Sequence, residues 1–524
     1  MVKMRSRSCC RVGCFLAVSA VCVMGCGGAK QALFHGEDER VMDGDYPTQA
    51  AAVVEQLSAH LPSQYDWMLV SSYGSLAESI SHGRGYGFAP SEDIDEALGD
   101  LGTHYGLNPS RLSDYFKDGF DTRSGFAIGM QDRRFFGVFS VDAPDLFRQW
   151  FDTLTQEEFG RPVYRDSVVN GRHYTAVDVL HREFSCYVTD EKGVVFLAAE
   201  IPDGSGRGGI CESLAQIVEG KRLSDSGILA AKKVVSDGAI GVMAQVGGLS
   251  VLSQAAFEHA EPWIEAAGLA LMFDADKAQA TASIYWREAE LDGDAVGDVM
   301  KRIVKDENRD LGNAFVATSP ESAVRLNVDG AVLEPVILKF LDASKRKKYE
   351  GLKDKLTQRL LKIDVADQIL HNVGNLWALS YSNESYPSFG IAMKEPAKSD
   401  SFFGKLNILK RVIPADKAQI REEEGILHAV VTGDIHVGYG KGLLTLAFSA
   451  SDFEALAGVY RLPVGVESAA PEWTKGGGLI SGRIALNRWV SRLTGAKSEV
   501  KFQHLDVDSE QGDRTLSVRM AFLP

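Results

Sequence analysis

The sequence predicts an α+β protein of two tandem, internally duplicated domains, each a largely antiparallel sheet with helices packed on one face. Three observations carry this prediction. At four places an alternating strand runs through a turn with a helix-capping residue into an apolar helix. A hairpin-like pair of strands follows each of these pieces. After the first and third hairpins come an amphipathic helix and then four more strand-like runs, so the order long unit, short unit occurs twice. A chain of 524 residues has room for two or more domains.

The chain opens with Lys3, Arg5, Arg7 and Arg11 and no acidic residue, followed by a mostly apolar run from Val12 to Met24 that ends in Val23-Met24-Gly25-Cys26. The run has signal-peptide length and is short for a membrane helix. This order resembles the lipobox of bacterial lipoproteins. The resemblance implies that residues 1–25 are a signal peptide and that Cys26 becomes the mature N-terminus, carrying a diacylglyceryl group and acyl chains such as palmitate. Each methylene that enters a membrane would add about 0.8 kcal/mol. Gly27 stands where enteric lipoproteins retained in the inner membrane carry Asp. The same resemblance therefore favours the outer membrane, on its periplasmic or surface face. Residues 26–46 are polar and charged and read as a tether.

Residues 1–25 hold four basic and no acidic residues, so their removal takes the net charge from −15 to −19. Such an acidic chain lacks the electrostatic footprint of a nucleic-acid binder. Of seven cysteines, Cys9, Cys10, Cys14 and Cys22 fall in the signal and Cys26 is the anchor. Cys186 and Cys211 remain as an even pair in an oxidising compartment, and they flank a glycine-rich loop that a disulfide would close.

A first helix is predicted over 48–60, ended by Pro62. The four strand–helix pieces start at Asp66, Ala239, Ser322 and Leu479, with strands at Met68–Ser72, Ile240–Val246, Val324–Val328 and Ile480–Leu486. Their candidate caps are Ser75, Ser250, Asp329 and Asn487. Pro335 is placed early in its helix, where a missing N–H costs little. The hairpins are 126–130 with 135–139, 269–273 with 281–286, 376–381 with 388–393, and 499–505 with 515–522. The helix at 144–159 is expected to bury Leu146, Phe147, Trp150 and Leu154. The helix at 399–413 is expected to bury Phe402, Phe403, Leu406, Leu409 and Ile413. Strand-like runs follow near 163–198 and 419–448. The domains are therefore drawn at 62–310 and 318–524. This layout is similar to uncharacterised duplicated bacterial lipoproteins and exported proteins of unknown function, a likeness that brings no catalytic motif.

Chemistry-bearing motifs are scarce. There is no G-x-S-x-G elbow and no H-E-x-x-H. "GRGYG" at 83–87 and "GSGRGG" at 204–209 lack the context of a phosphate loop and read as turns. "DVDSEQGD" at 506–513 clusters carboxylates as a calcium loop does, yet lacks the full ligand spacing, so a solvated hairpin turn is expected and no metal site or cofactor is assigned. A hairpin turning at Gly433-Asp434 would set His436 opposite Val431, which implies no pairing with His428.

The stretch "SKRKKYEGLKDKLTQRLLK" from Ser344 carries eight basic and two acidic residues. Tyr349, Leu352, Leu356, Leu360 and Ile363 recur at helical spacing, giving an amphipathic helix whose Lys345, Arg346, Lys347 and Lys348 form a patch for an anionic partner. The acidic "SEDIDEALGD" from Ser91 stands at the corresponding place in the first domain. A solvated helix face in each domain is the plain reading of both, and an electrostatic bridge between them a third. The leading functional expectation is a non-enzymatic envelope lipoprotein serving as a binding or scaffold module, with membrane lipid at Cys26 and an envelope protein as partner. The alternative is a carrier or sensor of an apolar ligand held between sheet and helices, for which the face of Leu146, Phe147, Trp150 and Phe151 is one candidate lining. A hydrolase assembled from distant residues ranks last.

Overall fold

The structure, a computed structural model, describes most of residues 54–72, 125–245, 263–304, 314–409, 418–462, 478–486 and 503–523. Cys26, the signal and tether, Ser75, Ser250, Asn487, the acidic stretch from Ser91 and "GRGYG" lie outside the described residues. The described chain divides into two compact units, the first reaching Tyr285 and the second running from Trp286, with Trp263 also in the second. No described helix is long and apolar enough to cross a membrane.

The first unit is built on strands β1 (Trp67–Ser72), β2 (Gly125–Gln131), β3 (Arg134–Ser140), β4 (Val163–Val169), β5 (Arg172–Val179), β6 (Arg182–Thr189), β7 (Val194–Glu200), β8 (Ile240–Gln245), β9 (Ile264–Phe273) and β10 (Ala278–Trp286). They pair in the order β10-β9-β8-β1-β2-β3-β7-β6-β5-β4, and every ladder from β9 to β4 is antiparallel. Three described helices accompany them: α1 (Pro144–Phe159), α2 (Ile210–Glu219) and α3 (Asp225–Asp237).

Helices cover both faces of this sheet, which corrects the expectation of one covered face. Met68, Val70, Phe136, Val138, Cys186 and Phe196 point one way, into a core completed by Leu214, Ile217, Val234 and Val235 of α2 and α3. On the opposite face Phe147 of α1 lies 5.8 Å from Phe139 and 6.3 Å from Tyr187. The cause is written in β3, "RFFGVFS", whose unbroken apolar run suits a strand buried on both sides. In α1 the inward stripe is Phe147, Phe151 and Thr155, at i, i+4 and i+8, while Leu146 is exposed. Leu146 therefore does not belong to the buried face assigned to it.

The second unit contains β11 (Ser322–Asn327), β12 (Val373–Ser380), β13 (Ser388–Met393), β14 (Ala418–Glu423), β15 (Ile426–Val431), β16 (Ile435–Gly440), β17 (Leu443–Ala447), β18 (Ile480–Ala485), β19 (His504–Gln511) and β20 (Thr515–Leu523). Their antiparallel order is β20-β19-β18-β11-β12-β13-β17-β16-β15-β14. Strand for strand, this is the order of the first unit. Its helices are α4 (Val296–Ile303), α5 (Gly330–Phe340), α6 (Ala343–Asp354), α7 (Pro396–Leu409) and α8 (Ala450–Ala457), with a π-helical turn at Ala366–Leu370.

Three sequence expectations shift here. The last hairpin is 504–511 with 515–523 rather than 499–505 with 515–522, so "DVDSEQ" is strand β19 and not a turn. Asp506 is occupied there by a two-pronged ion pair with Arg483, at 2.6 and 2.7 Å. Pro335 sits past the first turn of α5. Its missing N–H leaves the Ala331 carbonyl without its helical partner, at an exposed residue that water can reach. The segment from Trp286 to Ile303, drawn inside the first domain, packs within the second unit. Its helix α4 turns Val296, Val299 and Ile303 inward, the Ile303 carbonyl accepts from the Asp329 N–H at 2.6 Å, and Lys301 meets Asp513 at 2.5 Å.

Candidate functional site

The sequence after β11 turns at Asp329-Gly330. Asp329 accepts the Ala331 N–H at 3.0 Å through Oδ1 and so caps α5, as its place before the apolar run suggested. The same oxygen takes Lys394 Nζ at 2.6 Å, which ties the helix start to the end of β13. Gly330 is required at this point, because a Cβ there would collide with the Leu370 carbonyl of the π-helical turn.

Between the strands, α5 and Tyr349 of α6 lies a cavity of about 270 Å³ that opens to the surface. Its floor is Leu326, Leu376 and Ile391 of β11–β13, and Leu333 and Leu338 of α5 form its roof. Glu334 and Tyr349 give it one polar edge. At the matching register of the first unit, Phe126 and Phe139 of β2 and β3 stand where the second has Leu376 and Ile391. Those two phenylalanines stack 6.4 Å apart. Smaller side chains on the same frame leave space in the second unit.

Glu334 is the electrostatic centre of this edge. Its Oε1 accepts from the Tyr349 hydroxyl at 2.7 Å and from Lys353 Nζ at 3.0 Å, both on α6, and its Oε2 contacts His371 Nε2. Burial opposes the charged carboxylate, yet hydrogen bonds from Tyr349, His371 and Lys353 outweigh it and hold the carboxyl at about 2. Burial and the bond to Glu334 push the Tyr349 hydroxyl up to about 12. Sequence reasoning missed Glu334 and His371. The acidic residue in the middle of "GAVLEPVILKF", a mostly apolar helix, was the available signal.

The predicted basic patch lies in the first two turns of α6. Lys345, Lys347 and Lys348 are exposed, while Arg346 is half-buried and donates its Nε to the Leu338 carbonyl at 3.0 Å. The candidate lining of the first unit is different in kind: Phe147 and Phe151 are core residues, and Phe151 lies 6.0 Å from Tyr187. The side chain of Trp150 lies outside the described residues.

Cys186 of β6 and Cys211, the second residue of α2, are joined by a disulfide with Cα atoms 5.3 Å apart. Both are buried in the core of the first unit. Within the glycine-rich stretch before α2, Gly209 takes a left-handed φ of 97°. Its carbonyl accepts from Arg134 Nη1 at 3.3 Å.

The histidines of β15 and β16 do meet, contrary to the register expected. Asp434 adopts φ 61° in the connecting turn, Val431 pairs with Ile435, and His436 falls opposite Val430 rather than Val431. His428 is then its diagonal neighbour on the same face. His428 Nε2 and His436 Nδ1 lie 3.2 Å apart, and Phe453 of α8 stacks on His428 at 4.1 Å. Burial, aided by His436 and Arg421, keeps the His428 pKa below the ordinary histidine value. Among the described residues, no three His, Cys, Asp or Glu side chains converge as a metal site requires.

The chain matches no protein-family model and no curated protein. Among solved structures it is similar to crystal form IV of TP0453, at 13% identity over 44% of this chain and 79% of that one, with a TM-score of 0.26. Crystal form III of TP0453 gives 12% identity over 47% and 86%, at the same TM-score of 0.26. A TM-score of this size is too low to carry an inference, and none is drawn from it.

Proposed function

We propose that this chain is a non-enzymatic, lipid-anchored protein of the bacterial cell envelope whose second unit is a binding module for an apolar chain. One observation supports the binding role above the others: the cavity of about 270 Å³ between β11–β13 and α5–α6, floored by aliphatic side chains. An apolar cavity of about 150 Å³ admits benzene, so this one has room for about ten carbon atoms. Apolar walls with a few placed polar groups are the usual composition of a small-molecule site. The anchor at Cys26 rests on the Val23-Met24-Gly25-Cys26 order, and the preference for the outer membrane rests on Gly27.

We further read the two units as copies of one ancestral domain. The identical order of ten strands in each supports this. So does the placement of α1 and α7 directly after the matching hairpins. In this reading the first copy kept a filled interior at the β2–β3 position and the second opened it.

Titration with N-phenyl-1-naphthylamine, a neutral apolar dye, tests the binding role. One saturable site is expected in the wild-type chain. Leu376→Phe with Ile391→Phe, which grafts the aromatic pair of the first unit, should weaken that site about tenfold or more. Equal dye binding by both chains, or none by either, would reject the reading.

A further inference from the structure

We infer that the occupant of this cavity is an uncharged chain ending in a hydrogen-bond donor, in the simplest case an aliphatic alcohol, whose hydroxyl donates to Oε2 of Glu334. This rests on the cavity being an apolar-chain site and adds the chemistry of its polar end.

The side chains that bring polar atoms to the cavity wall are Glu334 and Tyr349. Neither has a proton to offer an occupant. Its hydrogen bonds hold the Glu334 carboxyl at about 2, so at neutral pH it is an anion and only accepts. The one proton of the Tyr349 hydroxyl is already given to Glu334 Oε1 at 2.7 Å. The other two partners of Glu334, Lys353 and His371, do not line the cavity. An ether, ester or ketone oxygen would therefore leave water and meet no side-chain donor, whereas a hydroxyl would meet an acceptor.

That acceptor has capacity left. A carboxylate offers about four acceptor positions. Oε1 uses its share on Tyr349 and Lys353, while Oε2 meets His371 alone among the described residues. The carboxylate also stands between two lining residues: Tyr349 is bonded to Oε1, and His371 at Oε2 directly follows Leu370. An occupant that reaches this edge meets Oε2 on the side His371 leaves open.

Charge decides against an ionic end. Lys353 Nζ lies 3.0 Å from Oε1 and already balances the Glu334 charge. An anionic head would be repelled by the carboxylate, and an ammonium would be repelled by Lys353. Either ion would also exchange water for a wall that is otherwise aliphatic. An uncharged donor avoids both costs.

The test displaces N-phenyl-1-naphthylamine at pH 7 from the full chain carrying Cys26→Ser. The competitors are 1-nonanol, its isomer 1-methoxyoctane, nonanoate and nonylamine. 1-Methoxyoctane keeps the oxygen and lacks the donor. 1-Nonanol should displace the dye about tenfold more tightly than 1-methoxyoctane, the worth of one hydrogen bond to a charged acceptor. Nonanoate and nonylamine, both ionised, should each bind at least about tenfold more weakly than 1-nonanol. In Glu334→Gln the acceptor is neutral, so the ratio of 1-nonanol to 1-methoxyoctane should fall to about threefold or less. Nonanoate should then gain on 1-nonanol. A wild-type chain that binds 1-methoxyoctane as tightly as 1-nonanol overturns the inference and leaves the apolar-chain reading standing. So does a ratio unmoved by Glu334→Gln, or an ionic competitor that binds tightest. Where Glu334→Gln takes up no dye, the wild-type ratios decide alone. A chain that takes the dye and releases it to none of these competitors overturns both.

Discussion

The hydroxyl of Tyr349 donates to Oε1 of Glu334 at 2.7 Å, across the seam where α6 meets α5. One carboxylate thus links the two helices and His371, the residue that follows the π-helical turn. Tyr349→Phe removes a single bond and should cost about 1 kcal/mol, whereas Glu334→Gln deprives Tyr349, Lys353 and His371 of their charged acceptor and should cost about 2 kcal/mol. Urea unfolding of the two variants checks the ranking. A Glu334→Gln chain as stable as wild type would show that the clasp contributes nothing.

The same carboxyl sets an acid limit. Its folded pKa is about 2 against 4.5 in the free side chain, so the unfolded state takes up the proton first as pH falls. The contribution of the clasp is present above about pH 4.5 and is lost between 4.5 and 2. Stability followed from pH 6 to pH 2.5 should fall more steeply in wild type than in Glu334→Gln.

His428 acts in a higher window. Its folded pKa lies below the ordinary 6.5, so the neutral ring is favoured in the fold. That stability is present above pH 6.5 and declines as pH falls below it. His428→Phe keeps a ring against Phe453 and cannot titrate. Between pH 7 and pH 5 its melting temperature should decline less than that of wild type, and parallel curves would remove His428 as the cause.

The Cys186–Cys211 bridge closes a loop of 25 residues. Constraint of the unfolded chain by a loop this size is worth roughly 3 kcal/mol. Non-reducing peptide mapping should find both cysteines in one linked peptide, and Cys186→Ala with Cys211→Ala should destabilise the first unit by about that amount. Two thiols that both react in the native, unreduced chain would exclude the bridge.

Acylation is read out directly in cells. A clickable palmitate analogue should label the wild-type chain and not Cys26→Ser. Equal labelling of the two would place the acyl group elsewhere or deny it.

Much of the frame was legible in the residues. The strands predicted at Met68–Ser72, Ile240–Val246, Val324–Val328 and Ile480–Leu486 lie within a residue or two of β1, β8, β11 and β18, because period-two alternation with apolar neighbours leaves few other conformations. Asp329 was legible as a cap because its side chain answers a local need. Features that depend on distant pairing were not legible. The second covered face of the first sheet depends on which strands become central. The contact of His428 with His436 turns on a one-residue difference in a turn. The strand over 504–511 looked like a turn because its acidic residues alternate, and Asp506 is stabilised there by Arg483 from the neighbouring strand. Glu334 gathers partners from α6 and from His371, 37 residues away, which no local pattern specifies.

Native mass spectrometry of the chain released from its own membrane tests the apolar-chain site most directly. The wild-type chain should carry one additional non-covalent adduct with the mass of an apolar-chain molecule, beyond the acyl groups at Cys26. The chain with Leu376→Phe and Ile391→Phe should lack it while melting no lower than wild type, because the added rings fill space that already exists. An adduct equally abundant on both chains, or absent from both, would contradict a binding site in the second unit.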